Sequence, residues 1–195
     1  MRRYPNFLRY EGFLKMFVRY FSLLVVLSWL VAPSFAQTLT LNKEKSKIDF
    51  VGKKSDGSHK GGFKEFKTEA KADMDAPEKS SLKLEIDTTS LWSDDAKLTE
   101  HLKNPDFFDV RKYPKITFET TKIEVSGEEA VTLVGKLTML DKTAEVKVPC
   151  KTSLSDSGIV LTAEFKLDRT KWGMSYGKGK INDEVDITAN LHFNR

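Results

Sequence analysis

The feature that most constrains this chain is an alternation of apolar and polar residues that begins eight times over, each time bounded by turn residues. Ile48 and Phe50 open the series. Phe66, Thr68, Ala70, Ala72 and Met74 keep step until Pro77, and Leu82, Leu84 and Ile86 alternate with Lys83, Glu85 and Asp87. Further on come Ile116, Phe118 and Thr120, with Ile123 and Val125 shifted by a bulge, and then Val131, Leu133, Gly135, Leu137 and Met139. Ala144, Val146, Val148 and Cys150 follow; Ile159, Leu161, Ala163, Phe165 and Leu167 form the next run, and Val185, Ile187, Ala189, Leu191 and Phe193 the last. A period of two puts successive side chains on opposite faces, so each run reads as a strand with one buried face. Gly52 to Gly62 reads as a glycine, serine and lysine loop around Asp56-Gly57, while Ser126-Gly127-Glu128, Asp141-Lys142 and Ser155 to Gly158 read as turns. About eight such strands form an antiparallel sandwich or a closed barrel, and closure removes exposed edges. The alternation itself fits both.

One stretch breaks the pattern. Leu98 and Leu102 are four apart and share a helix face, with Ser93 or Asp94 as the expected N-cap. Pro105 stops the helix, and the adjacent Phe107 and Phe108 are costly to leave in water, so the corner is expected to bury at least one of them. Tyr113-Pro114 then leads into the strand at Ile116.

The run His101-Leu-Lys-Asn-Pro-Asp-Phe-Phe-Asp-Val110, followed by Tyr113-Pro114 and Thr117-Phe118, resembles the signature of the YceI family of polyisoprenoid-binding proteins. Ser46 to Phe50, His59-Lys-Gly-Gly-Phe63 with Phe66, Gly135 to Thr138, and Asp168 to Met174 add to the resemblance, which covers nearly all of residues 38 to 193. It implies a mainly β fold: an eight-stranded antiparallel, lipocalin-like barrel with one short α-helix, holding a long isoprenoid or isoprenoid quinone in its lumen. One departure is Lys53-Lys54 after the first strand, where many members carry Lys-His; here the histidine comes later, at His59. On this implication the lipid contacts fall on inward-facing and corner side chains: Phe50, Phe63, Phe66, Leu84, Ile86, Leu98, Leu102, Phe107, Phe108, Phe118, Leu137, Phe165, Trp172, Met174 and Tyr176.

Residues 1 to 36 read as a secretory signal peptide. Arg2, Arg3, Arg9, Lys15 and Arg19 precede an apolar run from about Tyr20 to Ala32, and Ser34-Phe35-Ala36 supplies a small-x-small cleavage pattern. Met16 would begin a signal of more ordinary length. Cleavage leaves one domain, 37 to 195, in which 27 basic residues balance 27 acidic ones, so the excess of 32 Lys and Arg over 28 Asp and Glu belongs to the leader. Charge therefore gives no case for nucleic acid or for an anionic membrane surface, although transient membrane contact is compatible with a lipid carrier. Export implies a periplasmic address, or an extracellular one. Cys150 is the one cysteine, which excludes an internal disulfide; its parity with Val146 and Val148 makes it a buried structural thiol.

Motifs for catalysis are lacking. Trp172 to Lys180 is rich in glycine, but Lys178 stands where a phosphate-binding loop needs its second glycine. His59, His101 and His192 are far apart and lack metal-ligand spacing, and Asp183, Glu184 and Asp186 lack the pattern of a calcium loop. No cofactor, metal or catalytic residue is expected, and oligomeric state is not legible. The expected function is carriage or storage of a polyisoprenoid or isoprenoid quinone in the cell envelope. The rivals are a lumen packed solid in a structural or partner-binding module, and, further off, an enzyme acting on a bound lipid.

Overall fold

Branched and aromatic side chains pack well on a pleated surface while the lysines and glutamates between them stay in water, and the alternating runs become strands for that reason. The structure, a computed structural model, describes residues 36–155 and 158–194. The expected signal peptide and the alternative start at Met16 lie outside the described residues. In chain order the strands are β1 (Gln37–Leu41), β2 (Lys47–Lys54), β3 (Gly57–Phe63), β4 (Phe66–Ala72), β5 (Ser81–Asp87) and β6 (Leu91–Ser93), then helix α1 (Ala96–Leu102), then β7 (Lys115–Val125), β8 (Ala130–Met139), β9 (Lys142–Ser155), β10 (Gly158–Asp168) and β11 (Glu184–Asn194).

Eight of the eleven strands close an antiparallel ring in the order β1, β4, β5, β7, β8, β9, β10, β11, with Thr40 of β1 returning to Asn194 of β11. The described residues thus form the expected eight-stranded barrel with one α-helix. Its membership differs in detail, because β1 takes the place in the ring that the Ile48-Phe50 stretch was expected to hold. That stretch is β2, which pairs with β11 lower in its sequence, Asp186 to Asn190, and carries β3 and β6 beyond it.

Gly52 to Gly62 is a correction: most of it is not loop but the β2–β3 hairpin, with Gly52 opposite His59 and Lys54 opposite Gly57. Glycines disguised it. A Cβ at Gly61 would stand 2.5 Å from the Phe50 ring, and one at Gly62 would stand 2.5 Å from Asp49 Oδ1 and 2.9 Å from the Trp92 indole nitrogen, so neighbouring groups fill the space that strand side chains usually occupy. Met74 is a second correction. β4 ends at Ala72 because the Asp73 carboxylate accepts from the N–H groups of Asp75 and Ala76 and starts a turn, which leaves Met74 45 % exposed. The β8–β9 turn falls one residue early, on Leu140 and Asp141, whose φ of 53° and 56° match the twist of a two-residue hairpin. The expected bulge is present between Thr120 and Lys122.

The barrel has unlike ends. One end carries α1, the β2–β3 hairpin and the glycine-rich loop before β11. At the other, Leu39, Ala70, Ile123, Cys150 and Phe193 fill the interior as a packed base. Cys150 belongs to this base; burial pushes its thiol up to about 12, as suits an unreactive structural group.

Candidate functional site

Above the base the inward-facing side chains do not meet. Leu84, Leu137, Val146, Val148, Phe165, Ile187 and Ala189 all point into the barrel yet are only half-buried, because open space stands in front of them. That space is a cavity of about 360 Å³. Leu82, Leu133, Ala163 and Leu191 line it deepest, next to the packed base, and Ile86, Ile116, Phe118, Met139 and Leu167 line it toward the helix. Gly135 lets the wall be shaped this way: a Cβ there would stand 2.6 Å from the Phe118 ring, which lies across the glycine. The polar lining residues, Lys53, Lys54, His59, Ser93 and Arg169, are confined to the helix-bearing end and mark its mouth.

The mouth is roofed by α1 and the corner that follows it. Asp95, rather than Ser93 or Asp94, caps the helix, its Oδ1 accepting from Leu98 N–H at 2.7 Å. The two expected residues are otherwise engaged. Ser93 ends β6 and its N–H donates to Thr99 Oγ1, while Asp94 accepts from Lys60 N–H at 2.9 Å and contacts His59 Nδ1 at 3.0 Å. After Leu102 the chain folds back on itself, with the Phe108 N–H donating to the Leu102 carbonyl and the Val110 N–H to that of Lys103. The tight corner sends its two phenylalanines to different partners. Phe108 meets Phe50 and Phe63 at 6.4 and 5.6 Å between ring centroids, and Phe107 meets His101 and Tyr176 at 5.1 and 5.3 Å. Such pairs contribute about 0.5–1.5 kcal/mol each beyond the area they bury.

Asp94 therefore ties the β2–β3 hairpin to the roof. The Lys60 N–H first, and then His59, hold its carboxyl below the usual range. A lowered folded-state value means that the contribution is complete above the ordinary carboxylate pH of about 3.9 and is lost as pH falls through the folded value. Hydrogen exchange is expected to show a protected Lys60 amide at neutral pH whose protection drops in strong acid. Asp94→Ala should show the lower protection throughout. Protection of Lys60 that stays level into strong acid would contradict this assignment.

The far side of the mouth is held by Arg169. Its buried guanidinium donates to three carbonyls, Met174 at 2.7 Å, Asn182 at 3.1 Å and Ile181 at 3.3 Å, which pins both ends of the loop between β10 and β11. Trp172, fully buried, donates from its indole N–H to the Leu137 carbonyl at 3.0 Å.

The structure brings twelve of the fifteen expected contacts together around the cavity: Phe50, Phe63, Leu84, Ile86, Leu98, Leu102, Phe107, Phe108, Phe118, Leu137, Phe165 and Met174. The other three stand elsewhere. Phe66 is buried at the start of β4, Trp172 is buried beneath the loop, and Tyr176 is 45 % exposed above the roof. Gly135, Ala70, Ala163 and Ala189 are the small residues whose parity fits a cavity lining; Ala163 and Ala189 do line it, Ala70 lies in the packed base, and Val146, Val148, Leu161 and Ile187 join the wall by the same parity without having been expected as contacts. Lys53, Lys54, His59 and Arg169 stand in stretches that carry the family resemblance or depart from it, but nothing local places them with Ser93 at one mouth, which only the tertiary fold assembles. His101 is turned to Asp106, with Nε2 and Oδ2 2.9 Å apart, and does not line the cavity. Among the described residues no three His, Cys, Asp or Glu side chains converge as metal ligands.

A family model described as a YceI-like domain matches residues 39–193. A UPF0312 protein of Pseudomonas putida strain GB-1 is 38 % identical over 79 residues, 40 % of this chain and 41 % of the relative. One from Azotobacter vinelandii is 30 % identical over 137 residues, 67 % of this chain and 71 % of the relative. The match thus spans about two fifths of the first curated relatives. Among solved structures, BcnA of Burkholderia cenocepacia superposes with a TM-score of 0.74 at 26 % identity, covering 78 % of this chain and 98 % of that one. A polyisoprenoid binding domain from Saccharophagus degradans, implicated in plant cell wall breakdown, gives 0.65 at 14 % identity over 80 % and 97 % of the two chains, a likeness of fold alone.

Proposed function

This chain belongs to the family of YceI-like domains, and from that premise we propose that it holds the apolar tail of a polyisoprenoid or isoprenoid quinone in its barrel, for transport or storage in the cell envelope. The observation that carries the proposal is the cavity of about 360 Å³ with apolar walls, a packed base and all its polar lining at one end. A ligand built the same way, greasy along its length and polar at one tip, matches it. The name of the Saccharophagus degradans neighbour supports the ligand class. The solidly packed rival fits less well, since the upper barrel is open.

A cavity this size lies near the lower end of the roughly 300–1,000 Å³ of ordinary ligand sites. A tail of some forty carbons therefore needs Phe108 to swing aside or must protrude through the mouth. Burying such a tail at about 0.8 kcal/mol per methylene would give roughly 30 kcal/mol gross. That exceeds the practical ceiling of about 20 kcal/mol, so the alternative home in a membrane offsets most of it and exchange governs function more than grip. The protein acts in this reading as a binder and not as an enzyme, in the periplasm or outside the cell, with the lipid as its partner. Organic extraction and mass spectrometry of protein recovered from its own host are expected to yield a prenyl lipid, and stripped protein should take up a quinone or polyprenol. Protein that arrives empty and takes up neither would overturn the proposal.

A further inference from the structure

We infer that the loop between β10 and β11 is a docking surface for an anionic lipid bilayer, set so that a lipid can pass between membrane and lumen without crossing water. The purpose rests on the carrier proposal above; the geometry rests on separate residues. From Arg169 to Asn182 the chain carries four cations and no carboxylate, the longest acid-free run after residue 36. In a domain whose charges otherwise balance and interleave, this is a local excess that the total conceals.

Arg169 is buried beneath the loop, but Lys171, Lys178 and Lys180 are exposed. A fourth ammonium joins them from β9. Lys142 Nζ stands 2.5 Å from where a Cβ on Gly173 would be, so it lies against the loop itself. Among the described residues none of these four lysines forms a salt bridge, whereas several charges near them are paired: Lys53 with Asp186, Lys54 with Asp56, and Arg169 with Asp183. Asp168 is turned to Thr170, accepting from its N–H and its hydroxyl, and feels the Lys171 charge without forming an ion pair with it, so Lys142, Lys178 and Lys180 are the least compensated of the four.

Tyr176 projects from the same loop, 45 % exposed, with its ring against His101 and Phe107. An amphipathic ring beside several lysines is what a headgroup layer attracts: the aromatic sits at the interface, and each lysine gains from the negative surface. The loop is also continuous with the mouth. Met174 and Ile181 line the cavity, Lys54 bridges to Ile181, and the Asn182 N–H donates to the Lys53 carbonyl. A membrane touching Tyr176 therefore touches the roof that closes the lumen.

The test is co-sedimentation of the full chain, produced from its own start and purified as the cell processes it, with phosphatidylcholine vesicles that contain or lack phosphatidylglycerol. Binding is expected to rise with phosphatidylglycerol and to weaken with salt. Lys171→Glu, Lys178→Glu and Lys180→Glu together should lower the partition coefficient by at least about a hundredfold. The charge-matched set Lys45→Glu, Lys79→Glu and Lys151→Glu, which lies away from the loop, should lower it only slightly. Equal losses in the two sets, or equal binding to both vesicle compositions, would overturn the inference. Quinone uptake measured on the same preparations separates the two ideas: uptake without vesicle binding removes the docking surface and keeps the carrier, and vesicle binding without uptake does the reverse.

Discussion

Ala189→Trp is expected to abolish loading with a prenyl lipid while leaving the barrel close to its original stability. Ala189 lines the cavity, is only half-buried despite facing inward, and lies between Ala163 and Ile48 in the ladder, so its neighbours leave room for a larger side chain. The indole would occupy space that the ligand needs. Filling an apolar void stabilises by about 0.5–2 kcal/mol, and imperfect fit costs about 1–3 kcal/mol, so the two nearly cancel. The melting temperature should then move by no more than about 4 °C, since 1 kcal/mol shifts a domain of this size by about 2–4 °C. Lipid content after extraction should drop at least about tenfold, one decade of affinity being about 1.4 kcal/mol. A variant that melts normally and still loads fully would show that the ligand does not enter this space.

Trp172→Ala is expected to have the opposite signature, a large loss of stability. The side chain is fully buried and its N–H satisfies the Leu137 carbonyl. Truncating a buried tryptophan costs about 3–5 kcal/mol, which for a domain of this size lowers the melting temperature by roughly 6–20 °C. Trp172→Phe retains much of the packing but leaves the Leu137 carbonyl unpaired, at about 1–3 kcal/mol. Thermal melts and urea midpoints of both variants check the order. A Trp172→Ala protein that melts normally but fails to bind lipid would restore the ligand-contact role expected from the sequence.

The contrast between these two positions shows what was legible in the residues alone. Parity placed Leu84, Ile86, Phe118, Leu137 and Phe165 on one face, and the barrel keeps them there, because alternation and register leave a strand few choices. Trp172 and Tyr176 had no such constraint. They lie in a loop whose course depends on Arg169 finding three carbonyls, an arrangement that no spacing announces. The same limit applied to Gly61 and Gly62. Glycine normally argues against a strand interior, and the close approach of Phe50 and Trp92, and of Asp49 and the Ile48 carbonyl at Gly62, makes it the residue that fits. The corner at Phe107 and Phe108 was half legible: its burial followed from its composition, whereas the split between two aromatic groups followed from a backbone turn.

The edge of β11 is divided, with Phe193 and Asn194 given to β1 and Asp186 to Asn190 given to β2. Continuous ladders therefore close the vessel at its foot, while the β2–β3 side of its brim is joined to the rest by isolated backbone bonds, such as that from Asn182 to Lys53, and by the rings of Phe50, Phe63 and Phe108. Rings can slide where a ladder can only break, so any widening of the mouth falls on the aromatic contacts of the β2–β3 side and leaves the foot unchanged.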